Sequence, residues 1–194
     1  PCAGPTNSAT ANGSRHTREP DARARSCYDT FMAKKPQTPG TPATLALTRA
    51  GIAFTAVLYS YDPDADRLGV QAAEAIGEPP ARVFKTLMAE IDGNAVCVVV
   101  PSDHEVSMKK LATAFGGKSA RMMKPADAER ITGFRVGGIS PFGQKKRVPT
   151  AFARQAADLP YLYTNGGQRG LQVRLVPADA LRASAAILAD LTAE

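Results

Sequence analysis

The chain has 194 residues, of which 44% are hydrophobic, and its formal net charge at pH 7 is +6. This length and composition are typical of one globular domain with a real core, and they exclude an integral membrane protein. The excess of Lys and Arg favours polyanionic partners, whereas an aromatic content of 6% disfavours a platform on which nucleic-acid bases stack.

The sequence predicts a cytoplasmic protein without a membrane partner. No apolar run approaches the roughly 20 residues that span a bilayer, and residues 1–30 lack the apolar segment of a signal peptide. Cys2, Cys27 and Cys97 are an odd number without CxxC spacing, so we expect neither a disulfide framework nor a metal site. With only His16 and His104 present, a Cys–His or Ser–His catalytic pair has little support.

Residues 1–40 and 41–194 differ in composition. The first segment is rich in small polar residues and has almost no apolar periodicity, which predicts a disordered N-terminal extension. Met32 looks like a natural start, so we interpret residues 1–31 as an upstream or vector-derived addition. We expect residues 41–194 to form a single folded domain.

From Thr41 onward, the pattern predicts interleaved helices and strands. Thr41 and Pro42 are a good N-cap and first-turn proline for a helix that ends before Gly51. Further helices are predicted at 70–77, 106–115, from 125 onward and at 177–191, and strands at 54–59, 83–90, 95–101, 161–163 and 171–176. Residues 122–125 fit a short strand or turn, and residues 150–156 are ambiguous.

These elements predict an α/β or α+β domain in which helices pack against a mixed sheet. The chain has neither the G-x-G-x-x-G helix opening of a dinucleotide-binding fold nor a P-loop, so ATP hydrolysis has no support. The acidic run Asp62, Asp64 and Asp66 lacks the glycine and glutamate of a calcium loop, because Arg67 and Ala73 stand in their places.

Three polar side chains in apolar strands are candidates for chemistry. Lys85 places one cation in the middle of a strand, where it faces either solvent or a ligand phosphate. Thr86 points to the opposite face of a regular strand, so at most one of the two lines a given cleft unless a bulge or strand end intervenes. Tyr61 shares a strand face with Tyr59 and is either a core residue or a pocket hydroxyl.

Two glycine pairs, each followed by cations, are the strongest local signal. Gly137 and Gly138 precede Ile139, Ser140 and Pro141, and Lys145, Lys146 and Arg147 follow. Asn165, Gly166 and Gly167 precede Arg169. Glycines let a backbone approach a ligand closely, and neighbouring cations suit a phosphate- or ribose-bearing ligand, although each run is also compatible with a simple turn.

Three motifs in order closely resemble the bacterial YbaK/EbsC family of aminoacyl-tRNA deacylases, which are free-standing relatives of the prolyl-tRNA synthetase editing domain. They are FKTL at 84–87, TGFRVGGISPFGQKKR at 132–147 and GGQRGL at 166–171. The resemblance runs from about Thr41 to the C-terminus. It implies a mixed, largely antiparallel sheet and hydrolysis of the ester that joins a mischarged amino acid to the terminal ribose of tRNA. The GGISPxGQKK run is most similar to the branch that acts on Cys-tRNA(Pro).

The same resemblance implies roles for individual residues. Lys85 matches the essential lysine expected near the tRNA end, Tyr61 matches a pocket tyrosine, and Gly137 and Gly138 match the loop whose amides surround the ester. The resemblance further implies substrate-assisted attack, by the cysteinyl thiol or a ribose hydroxyl, with no metal, cofactor or protein nucleophile. Further substrate contacts are expected at Thr86, Ile139, Ser140, Pro141, Lys145, Lys146, Asn165, Gly166, Gly167 and Arg169.

Two departures and two alternatives accompany this interpretation. Asn165 stands where many members have serine, and Gln172 stands where some have an acidic residue, which bears on amino-acid selection. One alternative is a related deacylase for Ala-, Ser- or Thr-charged tRNA. The other is a non-catalytic module that binds tRNA or prolyl-tRNA synthetase. Partnership with that synthetase is expected because the chain has no obvious anticodon-reading module.

Overall fold

The computed structural model of the chain describes residues 39–64 and 67–193. These residues form a mixed sheet with five helices around it. The predicted extension over residues 1–40 lies, apart from its last two residues, outside the described residues. The helices are α1 (Pro42–Arg49), α2 (Leu68–Ile76), α3 (Met108–Ala114), α4 (Pro125–Thr132) and α5 (Pro177–Ser184). The strands are β1 (Thr55–Leu58), β2 (Val83–Ile91), β3 (Asn94–Pro101), β4 (Ala120–Met122), β5 (Thr150–Ala153), β6 (Leu162–Asn165), β7 (Leu171–Leu175) and β8 (Ile187–Ala189).

The strand order is β1-β7-β6-β2-β3-β5-β8, and β4 also pairs with β2. The β1·β7, β6·β7, β2·β3 and β2·β4 pairs are antiparallel, whereas β2·β6, β3·β5 and β5·β8 are parallel. The predicted mixed, largely antiparallel sheet is therefore confirmed. Strand β3 lies between β2 and β5, and its residues 97–100 are completely buried, so the core is built on the inner strands of the sheet.

A two-residue turn joins β2 and β3 into a hairpin. Asp92 and Gly93 have φ values of 47° and 84°, and Ile91 pairs with Asn94 across the two-residue turn. Two successive positive φ values match the turn type whose twist suits a tight hairpin. The turn sets the register of the whole β2·β3 ladder.

The opposite edge of β2 is interrupted. Strand β6 pairs only with Val83 and Phe84, and β4 pairs only with residues 89–91. Residues 85–88 therefore have a strand partner on the β3 side and none on the other side within the described part of the chain. We call this interval of β2 the sheet gap.

Helix α1 ties the N-terminal part of the domain to the second glycine pair. Thr41 and Thr44 form a capping box at its N-terminus, as the Thr-Pro signal predicts. The Thr41 hydroxyl also donates a hydrogen bond to the carbonyl of Gly166. The same threonine thus caps the helix and holds the loop that follows β6.

The predicted helix over 177–191 is wrong beyond Ser184. Ala185 has a φ of 50°, in the left-handed region, and Ile187–Ala189 then pairs in parallel with β5 as β8. Apolar residues in this segment satisfy the spacing of a helix, but the side of β5 left free by β3 accepts a further strand. The ambiguous segment resolves into β5 and a 3-10 turn at Arg154–Asp158. No helix among the described residues is long and apolar enough to cross a membrane.

Candidate functional site

A cavity of about 440 Å³ opens at the sheet gap. Its apolar walls include Met88 of β2, Met122 of β4 and Met123 of the loop that follows β4. The predicted site residues that line the cavity are Lys85, Thr86, Gly137, Ile139 and Asn165. The structure therefore brings the β2 motif and both glycine loops to one place.

Lys85 and Thr86 both line the cavity, although a regular strand would turn them to opposite faces. The reason is the sheet gap, because a strand that lacks a neighbour on one side can be reached around its edge. The Lys85 ammonium lies 3.2 Å from a carboxylate oxygen of Glu105, whose side chain is 74% exposed. Lys85 is itself 20% exposed, so the cation lies at the rim and is held by a partner that solvent surrounds. The Thr86 hydroxyl contacts that of Thr164 at 3.3 Å.

The first glycine loop presents a specific set of backbone amides. The N–H of Gly138 donates to the carbonyl of Arg135 at 2.8 Å, which closes a turn. No backbone or side-chain hydrogen bond within the described residues uses the N–H of Gly137 or Ile139. The amides that remain for a ligand are therefore those of Gly137 and Ile139, in place of the two glycine amides that the resemblance implies.

Gly138 has a packing role. A Cβ at this position would lie 2.9 Å from the backbone nitrogen of Arg169 and 3.0 Å from the backbone of Gln168. Only glycine lets the two loops approach this closely, since the obstacle is backbone and cannot rotate away. At Gly137 the constraint is conformational, because its φ is 85°.

Asn165 joins the two glycine loops. Its amide nitrogen donates to the carbonyl of Gly137 at 3.2 Å, and its side-chain oxygen accepts from the N–H of Gly167 at 2.8 Å. The side chain is buried at the end of β6. Asparagine has both a donor and an acceptor, and the geometry uses both, so the first loop is held in place by the second.

Tyr61 and Arg169 support the first loop from outside the cavity lining. The Arg169 side chain donates to the carbonyl of Val136 at 2.9 Å and lies 5.4 Å from the centre of the Tyr61 ring. The Tyr61 hydroxyl is 3.0 Å from the place where a Cβ on Gly137 would stand. Both side chains therefore hold the backbone of Val136 and Gly137.

The remaining predicted contacts lie away from the cavity. Ser140 is completely buried, and its hydroxyl accepts from the N–H of Phe142, while Pro141 is also buried. Lys145 and Lys146 are exposed and anchored only through their N–H groups, to Thr132 and Ile131. Gly166 and Gly167 pack against Leu171 and Phe134. Contact of these residues with a ligand stays a prediction.

A family model for the aminoacyl-tRNA editing domain matches residues 62–183, which include every residue of this cavity lining except Tyr59. The chain belongs to this family. Its editing-domain motifs are the ones that the fold assembles around the sheet gap.

Known proteins similar to this editing domain include free-standing proteins and part of a larger ligase. EbsC of Enterococcus faecalis, a candidate Cys-tRNA(Pro)/Cys-tRNA(Cys) deacylase, is 33% identical over 83% of the chain and 98% of its own length. The proline–tRNA ligase of Geobacter metallireducens is 30% identical over 52% of the chain and 17% of the ligase. The crystal structure of a candidate trans-editing enzyme for prolyl-tRNA synthetase has a TM-score of 0.67 and 23% identity, and covers 78% of this chain and 94% of that one. At that identity the likeness shows the fold.

Gln172 of this editing domain is a cavity residue that sequence reasoning noted only as a departure from the family. It pairs across strands with Asn165, is 4% exposed, and its side-chain oxygen has no hydrogen-bond partner within the described residues. Tyr59 lies beside it, and burial raises the pKa of that phenol. The signal for Gln172 is the one that identified Lys85, namely a polar residue inside a buried apolar strand.

Cys97 is a buried thiol in the core. It is completely buried in β3, and burial raises the pKa of its thiol to about 12. A thiol that stays protonated at neutral pH is a poor nucleophile. Within the described residues there is also no group of three or more His, Cys, Asp or Glu side chains that could hold a metal ion.

Proposed function

We propose that this editing domain is a trans-acting hydrolase that removes cysteine from Cys-tRNA(Pro) and so protects proline codons from mistranslation. The observation that carries the proposal is that Lys85 and two residues of the first glycine loop, Gly137 and Ile139, line one cavity, and that the N–H groups of Gly137 and Ile139 have no partner within the described residues. Its similarity to EbsC over nearly the whole of that protein supports the same substrate class.

The Lys85 ammonium suits the phosphate of the terminal nucleotide. In the free protein it pairs with Glu105, which is mostly exposed and therefore costs little to displace. A phosphate that replaces Glu105 gains a charge-assisted hydrogen bond and fixes the end of the tRNA at the rim. Positioning of this kind brings the ester to the loop amides and lowers the entropic part of the barrier.

The chemistry needs no nucleophile from the protein. Water, or the thiol of the bound cysteinyl group, attacks the ester carbonyl carbon, the bond from that carbon to the ribose oxygen breaks, and the ribose oxygen takes up a proton. If the thiol attacks, water then opens the cyclic thioester that forms. Negative charge develops on the carbonyl oxygen, and the N–H groups of Gly137 and Ile139 would stabilise it by about 3 kcal/mol each, a value typical of such donors.

The decisive test compares Lys85→Ala with Lys110→Ala. We expect Lys85→Ala to lower release of cysteine from Cys-tRNA(Pro) at least about 100-fold, because the terminal phosphate loses its cation. Lys110 is a matched control, since it also pairs with an exposed carboxylate, Asp190, at 3.0 Å, but lies outside the cavity. We expect Lys110→Ala to retain the wild-type rate, with circular dichroism showing both variants folded.

A panel of aminoacyl-tRNAs defines the substrate. Purified protein is incubated with tRNA charged with Cys, Ala, Ser or Thr, and the loss of each ester is followed over time. Fastest loss from Cys-tRNA(Pro) supports the proposal, and fastest loss from another member corrects its amino acid. If no member is hydrolysed above the uncatalysed rate, the chain is instead a binding module.

We extend the proposal to cooperation with prolyl-tRNA synthetase, which would select the tRNA. The support is the similarity of about half of the chain to part of a proline–tRNA ligase, 30% identical over 101 residues. The expected result is that the purified domain hydrolyses Cys-tRNA(Pro) and Cys-tRNA(Cys) at similar rates, and that added synthetase shifts the preference to Cys-tRNA(Pro). Strong discrimination by the domain alone would contradict this partnership.

A further inference from the structure

The sheet gap exposes backbone hydrogen-bonding groups inside the cavity. In an antiparallel ladder, alternate residues direct their N–H and C=O groups to the same edge. The carbonyl of Met88 accepts from the N–H of Met123, whereas the carbonyl of Val83 accepts from Ser102, which follows β3. The backbone N–H and C=O groups of the even-numbered residues of β2 therefore face the interrupted edge, away from β3.

Thr86 is the residue at the centre of that edge. The parallel pairing with β6 stops at Phe84, and the antiparallel pairing with β4 starts at Ala89. Within the described residues, no backbone or side-chain group bonds to the N–H or the C=O of Thr86. One donor and one acceptor thus stand side by side, and Thr86 lines the cavity.

The form of the sheet gap limits what can bind to this pair. An added peptide strand needs a longer edge, and here β6 and β4 close both ends after four residues, 85–88. The cavity walls beside the gap include the apolar side chains of Leu87, Met122 and Met123. A small, flat, apolar group with an acceptor next to a donor on one edge fits this space.

We propose that the N–H and C=O of Thr86 bind the Watson–Crick edge of the terminal adenine of tRNA, an inference that rests on the proposed function. The N–H donates to adenine N1, and the C=O accepts from the N6 amino group. Single-stranded RNA ends are commonly recognised on these base edges. Hypoxanthine has the reverse pattern, an N1–H donor beside an O6 acceptor, and cannot form the pair.

The position of Thr86 agrees with the layout of a nucleotide. It follows Lys85, the proposed phosphate ligand, in β2. On the other side of the gap, Asn165 at the end of β6 holds the carbonyl of Gly137 in the proposed ester site. The base site therefore shares one cavity with the phosphate site and the ester site, as a terminal adenosine requires, because its ribose carries the base, the phosphate and the aminoacyl group.

The first arm of the test changes only the base. Wild-type protein is given cysteinyl-tRNA that ends in adenosine, in inosine or in purine riboside, and kcat/KM is measured for each. We expect inosine to lower kcat/KM about tenfold or more, because both hydrogen bonds are lost and a donor faces a donor. Purine riboside keeps N1 but lacks the amino group, so its value should fall between the other two.

The second arm changes only the protein. Thr86→Pro removes the N–H at a place where no ladder hydrogen bond uses it, and Thr86→Val is the matched variant that keeps the N–H but lacks the hydroxyl. Thr86→Pro should lower the preference for adenosine over inosine towards one, whereas Thr86→Val should keep the wild-type preference. If Thr86→Pro does not fold, the substrate series with the wild-type protein still tests the adenine site.

The two proposals fail in different ways. Equal kcat/KM for the adenosine and inosine ends, with active hydrolysis of both, overturns the adenine site and leaves the deacylase intact. Hydrolysis of neither end, together with a negative aminoacyl-tRNA panel, overturns the deacylase and the adenine site with it.

Discussion

At the scale of single residues, Asn165 decides how the two glycine loops are joined. Its amide donates to Gly137 and accepts from Gly167, so one buried side chain satisfies a backbone group in each loop. A buried amide whose donor and acceptor are both used is costly to replace, because each lost partner leaves a desolvated group. The position of the first loop therefore depends on Asn165.

We expect Asn165→Ala to lower the free energy of unfolding by about 1–3 kcal/mol, since two buried backbone groups lose their partner. Deacylation should fall more steeply than stability, because the Gly137 amide moves. Urea denaturation and single-turnover hydrolysis measure the two effects. Gln168→Ala, an exposed change in the same loop, is the control and should alter neither. A variant Asn165→Ala as stable and active as the wild type would contradict the bridging role.

Sequence patterns could predict which side chains matter but not which backbone groups are free. Lys85 and Gln172 are recognisable as polar residues in apolar strands, and the glycine pairs as sites of close approach. The residue pattern does not predict that the Gly138 N–H closes a turn or that Asn165 forms a hydrogen bond with Gly137. Those facts depend on how two loops 28 residues apart pack together.

At the scale of elements, the C-terminal segment shows how tertiary contacts override periodicity. Helix α5 ends at Ser184, the chain turns at Ala185 with a positive φ, and β8 joins the edge of β5. Alanine rarely occupies this backbone region, because its Cβ crowds the carbonyl oxygen. The pairing with β5 supplies the free energy that holds it there.

We expect Ala185→Gly to raise the free energy of unfolding by about 0.5–1 kcal/mol, because glycine adopts the left-handed conformation without strain. Thermal or urea unfolding measures the change. Ala50→Gly is the matched control at the end of α1, where φ is −79° and the conformation is ordinary, so it should be neutral or destabilising. Equal effects of the two substitutions would show that the strain at Ala185 is absent.

Most other elements were predictable because their signals are local. The Thr41–Pro42 start of α1, the Asp92–Gly93 hairpin and the Gly77 end of α2 depend on turn and cap chemistry within a few residues. The sheet order and the sheet gap were not predictable, since they arise from parallel pairings between strands far apart in the chain.

At the scale of the whole molecule, part of the positive charge forms no ion pair within the described residues. Seven Lys and Arg side chains in the described residues form ion pairs with carboxylates, and Lys85 and Lys110 are among these seven. Lys145, Lys146 and Arg147 are exposed and form no such pair within the part of the chain that the structure describes. They follow the first glycine loop in the chain, and we expect the backbone of a bound tRNA to contact them.

We expect the second-order rate for aminoacyl-tRNA to fall steeply with salt, with a logarithmic slope that decreases by roughly 1–2 when Lys145 and Lys146 are both changed to Ala. Rates at several salt concentrations measure this slope. The control is a minimal substrate, an aminoacyl ester of adenosine monophosphate. Its one phosphate is the terminal one assigned to Lys85, and it lacks the tRNA backbone that would contact Lys145 and Lys146. Its rate should therefore not change in the double variant. An unchanged slope for tRNA would place the backbone elsewhere.

The sheet gap also bears on the solubility of the protein. An unpaired strand edge on the surface invites other chains to pair with it, which leads to aggregation. Here β6 and β4 stand on either side of the free interval and leave room for a small molecule but not for a second strand. The backbone edge at the sheet gap is therefore open to a small molecule, whereas a strand of another protein cannot pair with it.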